Sequence, residues 1–181
     1  MATLIPDLRK FIVGLEIKNA SSVSEATWRK IGGMINFLGH RTHQEKVFPI
    51  NGNYGSLQGL YPINAIDGYA FFEFDAEIFN VWVYGVKAGS SGITELDLKV
   101  KPKGSGSFTS IFTTTPKIAP SAGNEVWFEV GDVATGITAP VLNDGGSGVV
   151  NVNRGDAIRL DLIQAMAEGE HCGIVIHFRP R

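Results

Sequence analysis

Residues 91–118, SGITELDLKVKPKGSGSFTSIFTTTPKI, contain the pattern that decides the fold. In the first half of this stretch Leu96, Leu98 and Val100 alternate with the charged residues Glu95, Asp97, Lys99 and Lys101. Side chains on a strand point to opposite faces in turn, so the apolar residues share one face and the charged residues share the other. The pattern predicts an antiparallel strand with one face in a core and the other in water. The glycine, serine and threonine residues that follow predict a polar loop.

The same period of two recurs towards the C-terminus. Ile158, Leu160 and Leu162 alternate with Arg159 and Asp161, and Ile174, Ile176 and Phe178 alternate with His177 and Arg179. Both segments are therefore expected to be strands with one buried face and one face in water.

Residues 78–86, IFNVWVYGV, are apolar on both faces. This composition predicts a strand that is covered on both sides, by the core on one and by another subunit or a helix on the other. Trp82 and Tyr84 are the candidate residues for such a subunit interface. Weaker strands are expected near residues 47–50, 69–74, 108–113, 126–130, 137–142 and 149–152.

Turn signals such as Asn51-Gly52, Asp67-Gly68 and Asp144-Gly145-Gly146 separate these segments. Many short strands at this spacing predict an all-β fold, an antiparallel β-sandwich of the jelly-roll type, over residues 46–181.

Residues 1–45 have a different pattern and are expected to form an N-terminal anchoring arm with a short helix. Ser22 and Glu25 have the spacing of a capping box, and Gly32-Gly33 is expected to end or bend the helix. This helix is too short for an independent coiled coil, so it is expected to dock on its own domain, a sister subunit or a larger partner. The candidate buried contacts of the arm are Trp28, Ile31, Ile35, Phe37 and Leu38.

Composition excludes several classes of function. The 181 residues are 44% hydrophobic but only 19% charged, below the usual level of about 25%. A net charge of −2 provides no basic field to hold nucleic acid. The sequence has no run of 18 apolar residues, so no membrane-spanning helix is expected. With Cys172 as its only cysteine, the chain cannot form an internal disulfide, which indicates folding in a reducing compartment or folding that does not depend on oxidation.

Neither a metal site nor a nucleophilic cysteine is expected at the C-terminus. Cys172, His171 and His177 are close in sequence, but their spacing fits no zinc pattern. An odd separation also directs Cys172 and His177 to opposite faces of a strand, and Cys172 is expected to be a small buried residue.

The acidic residues provide the only candidates for hydrolytic or calcium chemistry. Glu73, Asp75 and Glu77 would share a face of a regular strand, and Asp144-Gly145-Gly146 superficially resembles a calcium loop. A solvated sheet face with a turn at Asp75-Ala76 explains the first pattern more simply, and a turn alone explains the second. The chain has no phosphate-binding glycine loop and no hydrolase motif, so we expect no cofactor and no enzymatic activity.

Two further sets of residues are candidates for surface contacts. His40 and His43 could form a pH-sensitive contact or a polar surface. The aromatic residues Trp82, Tyr84, Trp127, Tyr54 and Tyr61 could bind sugars, although such rings more often belong to a core or an interface.

Several segments resemble those of tailed-phage virion structural proteins. They are residues 91–118, the pattern TGITAPVLN at 135–143, the C-terminal VNRGDAIRLDLIQAMAEGEHCGIVIHFRPR and the N-terminal IPDLRKFIVGLEIKNASSVSEATWRKIGGMINFLGHR. The resemblance covers most of the chain. It rests on segments of structural character that contain no catalytic or ligand-binding motif.

The resemblance implies a non-enzymatic protein of the virion, of the capsid-decoration, head-fibre or tail-fibre type, that folds in the bacterial cytoplasm. It implies a homotrimer of jelly rolls, anchored by the N-terminal arm to other proteins of the capsid or tail. The alternative is a receptor- or carbohydrate-binding module of a tail fibre or tip, with a host surface glycan as its ligand.

Overall fold

The computed structural model of the chain describes residues 44–53 and 68–181. The compact unit that contains these strands is Thr42–Arg181. The predicted helix and all five candidate contacts of the arm lie outside the described residues, as do His40, His43, Tyr54 and Tyr61. Extended structure begins at Gln44, slightly before the predicted domain boundary at residue 46.

Strands dominate the described part of the chain, and a short 3-10 turn at Pro120–Ala122 interrupts them. The strands are β1 (Gln44–Asn53), β2 (Ala70–Phe71), β3 (Ala76–Lys87), β4 (Thr94–Lys101), β5 (Thr109–Ser110), β6 (Phe112–Thr114), β7 (Lys117–Ile118), β8 (Val126–Glu129), β9 (Ile137–Thr138), β10 (Val141–Leu142), β11 (Val150–Val152), β12 (Ala157–Gln164) and β13 (Glu170–Pro180). In the described residues no helix is long and apolar enough to cross a membrane.

Two antiparallel sheets form the fold. The first sheet has the order β1-β13-β3-β11, with β8 also paired to β3. The second has the order β2-β12-β4-β7-β9, with β5 also paired to β4, and β6 and β10 form a small separate ribbon. Because β1, β2, β3 and β4 alternate between the sheets, as do β11, β12 and β13, the sandwich has the jelly-roll arrangement.

The core lies between the inner faces of the two sheets. The four most clearly predicted strands are confirmed, and most of the apolar residues on their inner faces are buried. From the first sheet Val81, Val83, Ile174 and Ile176 are fully buried, and from the second Leu96, Leu98, Ile158 and Leu162 are almost or fully buried.

Three weaker strands are shorter or more broken than predicted. The strand expected at 69–74 is only the two residues of β2, followed by a bend at Glu73 and Phe74. The segments 108–113 and 137–142 each divide into two short strands. Within the first of these, Ser110 Oγ accepts a 3.0 Å hydrogen bond from the Phe112 N–H. Such a local bond competes with the sheet ladder and ends β5.

The expectation that the charged faces lie in water is wrong at three positions. Asp161 is 0% exposed, Asp97 is 6% exposed and His177 is 2% exposed. The carboxylate of Asp161 is 2.9 Å from Lys99 Nζ, and this ion pair permits its burial. His177 is covered by Trp82, whose ring centroid lies 4.5 Å from that of the imidazole.

Candidate functional site

Strand register brings the predicted interface residues together on the outer face of the first sheet. Trp82 lies opposite Val175 on β13, and Tyr84 lies opposite Trp127 on β8. Val83 and Phe128, the next residues along β3 and β8, are buried in the core. The side chains of the two facing pairs therefore project outwards. Trp82, Tyr84, Trp127 and Val175 are called the aromatic face below.

The aromatic face is accessible to a partner. Trp127 is 68% exposed and Trp82 is 40% exposed, and their ring centroids are 6.1 Å apart with an interplanar angle of 45°. The four residues border a shallow depression of about 380 Å³. Val47 on β1 and Val86 on β3 add further exposed apolar surface. Contiguous apolar surface of this kind is typical of interaction sites.

Glu129 determines the orientation of Trp82. Its Oε2 accepts a hydrogen bond from Trp82 Nε1 at 2.8 Å and another from the Asn80 side-chain amide. These bonds, from Asn80 first and then from Trp82, lower the pKa of Glu129 below its usual value. The polar edge of the Trp82 indole is therefore satisfied within the chain, and its apolar ring remains for a partner.

The side chain of Tyr84 lies across the neighbouring strand β13 at Gly173. A Cβ atom at position 173 would lie 2.6 Å from the Tyr84 hydroxyl oxygen and would also approach the carbonyl oxygen of Phe48 on β1. Glycine is therefore needed at position 173, because any side chain would displace Tyr84 from the aromatic face.

The bonds to Glu129 predict a pH dependence of stability. A carboxyl group with a lowered native pKa stabilises the folded state above its unfolded value, about 4.5, and loses this contribution as pH falls through the native pKa. We expect Glu129→Gln to be less stable than the parent chain at pH 7, with a difference that shrinks below about pH 4. Urea unfolding of both proteins at several pH values measures this. A stability difference between the two proteins that does not change with pH would contradict the lowered pKa of Glu129.

The cysteine and histidines do not converge. Cys172 is fully buried in the core, whereas His177 lies on the outer face of the same strand, as the odd spacing predicts. Nδ1 of His171 accepts a 3.2 Å hydrogen bond from the Gly52 N–H. Within residues 44–53 and 68–181 no three histidine, cysteine or acidic residues are grouped to hold a metal ion.

The three candidate carboxylates have separate contacts. Glu77 forms a 3.0 Å ion pair with Arg179, and Asp75 accepts a 2.8 Å hydrogen bond from the Arg154 N–H. Glu73 is exposed in the bend after β2. They share no strand face, because the regular strand begins only at Ala76.

Asp144 organises its own turn. Its carboxylate accepts hydrogen bonds of 2.8 Å from the Gly146 N–H and 2.7 Å from the Gly148 N–H. These bonds, with that from Gly146 first, lower the pKa of Asp144. The turn that the sequence indicates at this position accounts for these contacts.

Reasoning from the sequence missed Glu129 and Gly173. Glu129 is 47 residues from Trp82, and nothing in the segment EVWFEV distinguishes it from an ordinary exposed acid. A glycine inside an alternating strand often marks a place where another group approaches the backbone closely. Gly173 in GIVIHF was therefore a signal in the sequence for this contact.

Comparison of the chain with known protein families and with curated proteins found no match.

Proposed function

We propose that the protein is a non-enzymatic structural protein of a phage virion that assembles with copies of itself through the aromatic face. The observation that carries the proposed assembly is the grouping of Trp82, Tyr84 and Trp127 on the outer face of a folded sandwich, and the virion role rests on the resemblance of the sequence to phage structural proteins. The proposed role is capsid decoration or a fibre-type projection from the particle, with the N-terminal arm as the anchor.

The chemistry of the aromatic face favours a protein partner. Tryptophan and tyrosine are enriched among the residues that dominate the energy of protein interfaces. The ring N–H of Trp82 already donates to Glu129, so burial of this ring by a partner would leave no unpaired donor. The surface offered by Trp82, Val175 and Val47 is apolar.

The resemblance to phage structural proteins supports a trimer rather than another assembly. In a ring of three, the aromatic face of each subunit would contact a different surface of the next, and the threefold rotation would close the ring. Such an arrangement would cover the outer side of residues 78–86, whose apolar composition on both faces predicts a second cover.

The proposal predicts the mass of the protein in solution. Light scattering after size-exclusion chromatography is expected to give three times the chain mass of 19.5 kDa. Trp127→Ser is expected to shift the protein to the mass of one chain at low micromolar concentration. Loss of an interface tryptophan typically costs 2 kcal/mol or more, about a thirtyfold weaker association per contact.

Val141→Ser provides the matched control, because Val141 is 49% exposed on β10 and lies outside the aromatic face. Since Trp127 is also largely exposed, neither change is expected to unfold the domain. A parent chain with the mass of one subunit at all concentrations would contradict the proposed interface. So would a Trp127→Ser variant that assembles as well as Val141→Ser.

Mass spectrometry of purified particles of the phage that encodes the chain tests the virion assignment separately. The protein is expected among the particle proteins, and its absence from intact, infectious particles would overturn this part of the proposal. Loss of the protein from particles after Trp28→Ala, with the β-sandwich still folded, would support the arm as anchor.

A receptor- or carbohydrate-binding module is the second candidate function. The exposed ring of Trp127 beside a depression of about 380 Å³ favours it, because sugars bind on aromatic rings in shallow sites. Binding of a host glycan that is lost in Trp127→Ser, by a chain that has the mass of one subunit, would favour this candidate over assembly.

A further inference from the structure

The outer face of the second sheet carries a separate cleft at one end. Strand register places Ala157 on β12 between Phe71 on β2 and Lys101 on β4. The small side chain of Ala157 forms a floor between two larger neighbours. The resulting cleft has a volume of about 310 Å³. Its walls are Tyr69, Phe71, Lys101, Lys103 and Phe108, called the lysine cleft below.

Aromatic rings form one part of the wall. Tyr69 is 54% exposed and Phe71 is 58% exposed. The ring centroid of Phe108 lies 5.2 Å from that of Tyr69 and 4.0 Å from the guanidinium carbon of Arg159. Because Tyr69 and Phe108 contact each other, no slot for a flat ring is left between them, and a ligand would lie against the exposed ring faces.

Two lysines also line the cleft, and the fold holds Lys103 in place. The Lys103 N–H donates a 2.8 Å hydrogen bond to Asp156 Oδ1. A Cβ atom at position 155 would lie 2.9 Å from Lys103 Cδ, so Gly155 leaves room for the Lys103 stem to pack against the backbone. Lys101 Nζ lies 5.8 Å from the Phe108 ring centroid.

Neither lysine is neutralised by a carboxylate within the described ranges. Lys99, Lys117 and Lys87 all form ion pairs with acidic residues, whereas Lys101 and Lys103 form none there. Two lysine side chains and exposed aromatic rings therefore line one cleft, which combines positive charge with apolar ring surface.

We propose that the lysine cleft binds an acidic saccharide, a sugar ring that carries a carboxylate or phosphate. The C–H face of a sugar ring is slightly positive and matches the negative face of Tyr69 or Phe71. The carboxylate or phosphate accepts charge-assisted hydrogen bonds from Lys101 and Lys103. The volume is near the lower limit of small-ligand sites, about 300 Å³, and suits one or two sugar rings.

Charge distinguishes this ligand from nucleic acid. The chain has a net charge of −2, and two lysines provide no basic path along a polynucleotide backbone. The lysine cleft and the aromatic face lie on different sheets and share no residue. Failure of either proposal therefore leaves the other unaffected.

The test uses a disaccharide that contains glucuronic acid, together with its uncharged methyl ester, added to the isotopically labelled full chain. NMR shift changes are expected at the amides of Tyr69, Lys103 and Gly155. Lys103→Gln is expected to weaken binding of the acid about fivefold to tenfold and to leave binding of the ester unchanged. Glucose 6-phosphate in a parallel titration distinguishes a phosphate ligand from a carboxylate ligand, and selective binding of either supports the proposal.

Two controls make the result specific. Lys87→Gln removes one positive charge elsewhere and is expected to have no effect, because Lys87 is paired with Glu170. Tyr69→Ala is expected to weaken the acid and the ester alike, whereas Trp127→Ala is expected to weaken neither. Equal binding of acid and ester, shift changes outside the cleft, no binding of either charged sugar, or stronger binding of an acidic peptide would each overturn the proposal.

Discussion

Replacing Gly89 by alanine is expected to lower the free energy of unfolding by about 3 kcal/mol. Gly89 lies between β3 and β4, where the chain passes close to the segment that follows β12. A Cβ atom there would overlap the carbonyl oxygen of Ala167 and would lie 2.6 Å from Met166 Cγ. Because the overlap involves backbone, no change of side-chain rotamer can relieve it.

The backbone shift caused by Gly89→Ala would also break a local bridge between the two segments. The Ser90 N–H donates to the Ala167 carbonyl at 2.9 Å, and the Ala167 N–H donates to the Ser91 carbonyl at 2.9 Å. The expected loss is therefore at the upper end of the range for overpacking, about 1–3 kcal/mol.

Gly106→Ala is the matched control for this substitution. A Cβ atom at position 106 would have no heavy atom within 4 Å, and Gly106 does not require a positive φ. Its effect is expected to stay within about 0.5 kcal/mol. Urea unfolding followed by circular dichroism measures both variants. Equal stability of Gly89→Ala and Gly106→Ala would show that the close approach does not constrain the fold.

Replacing Asp161 by alanine is the second change with a large expected effect, a loss of about 3 kcal/mol. Asp161 is fully buried, and its carboxylate is 2.9 Å from Lys99 Nζ and 2.9 Å from Arg159 Nε. The Arg159 Nη2 group also donates to Asp161 Oδ2 at 3.2 Å. Removal of the carboxylate leaves two largely buried cations with less compensation.

The pKa of Lys99 provides an independent measure of this pairing. Burial alone lowers the pKa of the ammonium group, but the hydrogen bonds and charges of Asp161 and Asp97 together outweigh burial and raise it. A raised native pKa contributes stability that is present below the unfolded value, near 10.5, and is lost as pH rises through the native value. The stability difference between the parent chain and Asp161→Ala is therefore expected to shrink above about pH 10.5.

Glu170→Ala is the control for the loss of one carboxylate. Glu170 forms a 2.6 Å ion pair with Lys87, in which both side chains are well exposed. Exposed pairs contribute little, so no measurable change in stability is expected. If Asp161→Ala were as harmless as Glu170→Ala, the buried cluster would not stabilise the sandwich.

The most regular strands of this fold could be predicted from the sequence because their pattern is local. Leu96, Leu98 and Val100 need only their neighbours to define which side of the strand faces the core. The same holds for Ile174 and Ile176, and for Cys172 on the inner face of β13. A period of two follows from the geometry of an extended chain and does not depend on the strand partners.

Part of the aromatic face could be predicted from the sequence for the same reason. The apolar composition of residues 78–86 indicated a strand covered on both faces, and it made Trp82 and Tyr84 candidates for a subunit interface. Their grouping with Trp127 could not be predicted, because it depends on the pairing of β8 with β3. Glu129 on β8 and Gly173 on β13 support the aromatic face through their contacts with Trp82 and Tyr84 of β3, which depend on strand pairing.

The sequence by itself determined the all-β class, the principal strands and, for the alternating strands β4, β12 and β13, the inner face. Only the tertiary structure decided which side chains on the outer faces are buried and which charges are paired. Asp97, Asp161 and His177 alternate with core residues as if they faced water, yet each is buried by neighbours from distant strands. Alternation records the direction of a side chain, whereas burial and charge pairing depend on strand register and on what covers the sheet. The aromatic face and the lysine cleft both arise at this second level, from side chains that the two sheets bring together.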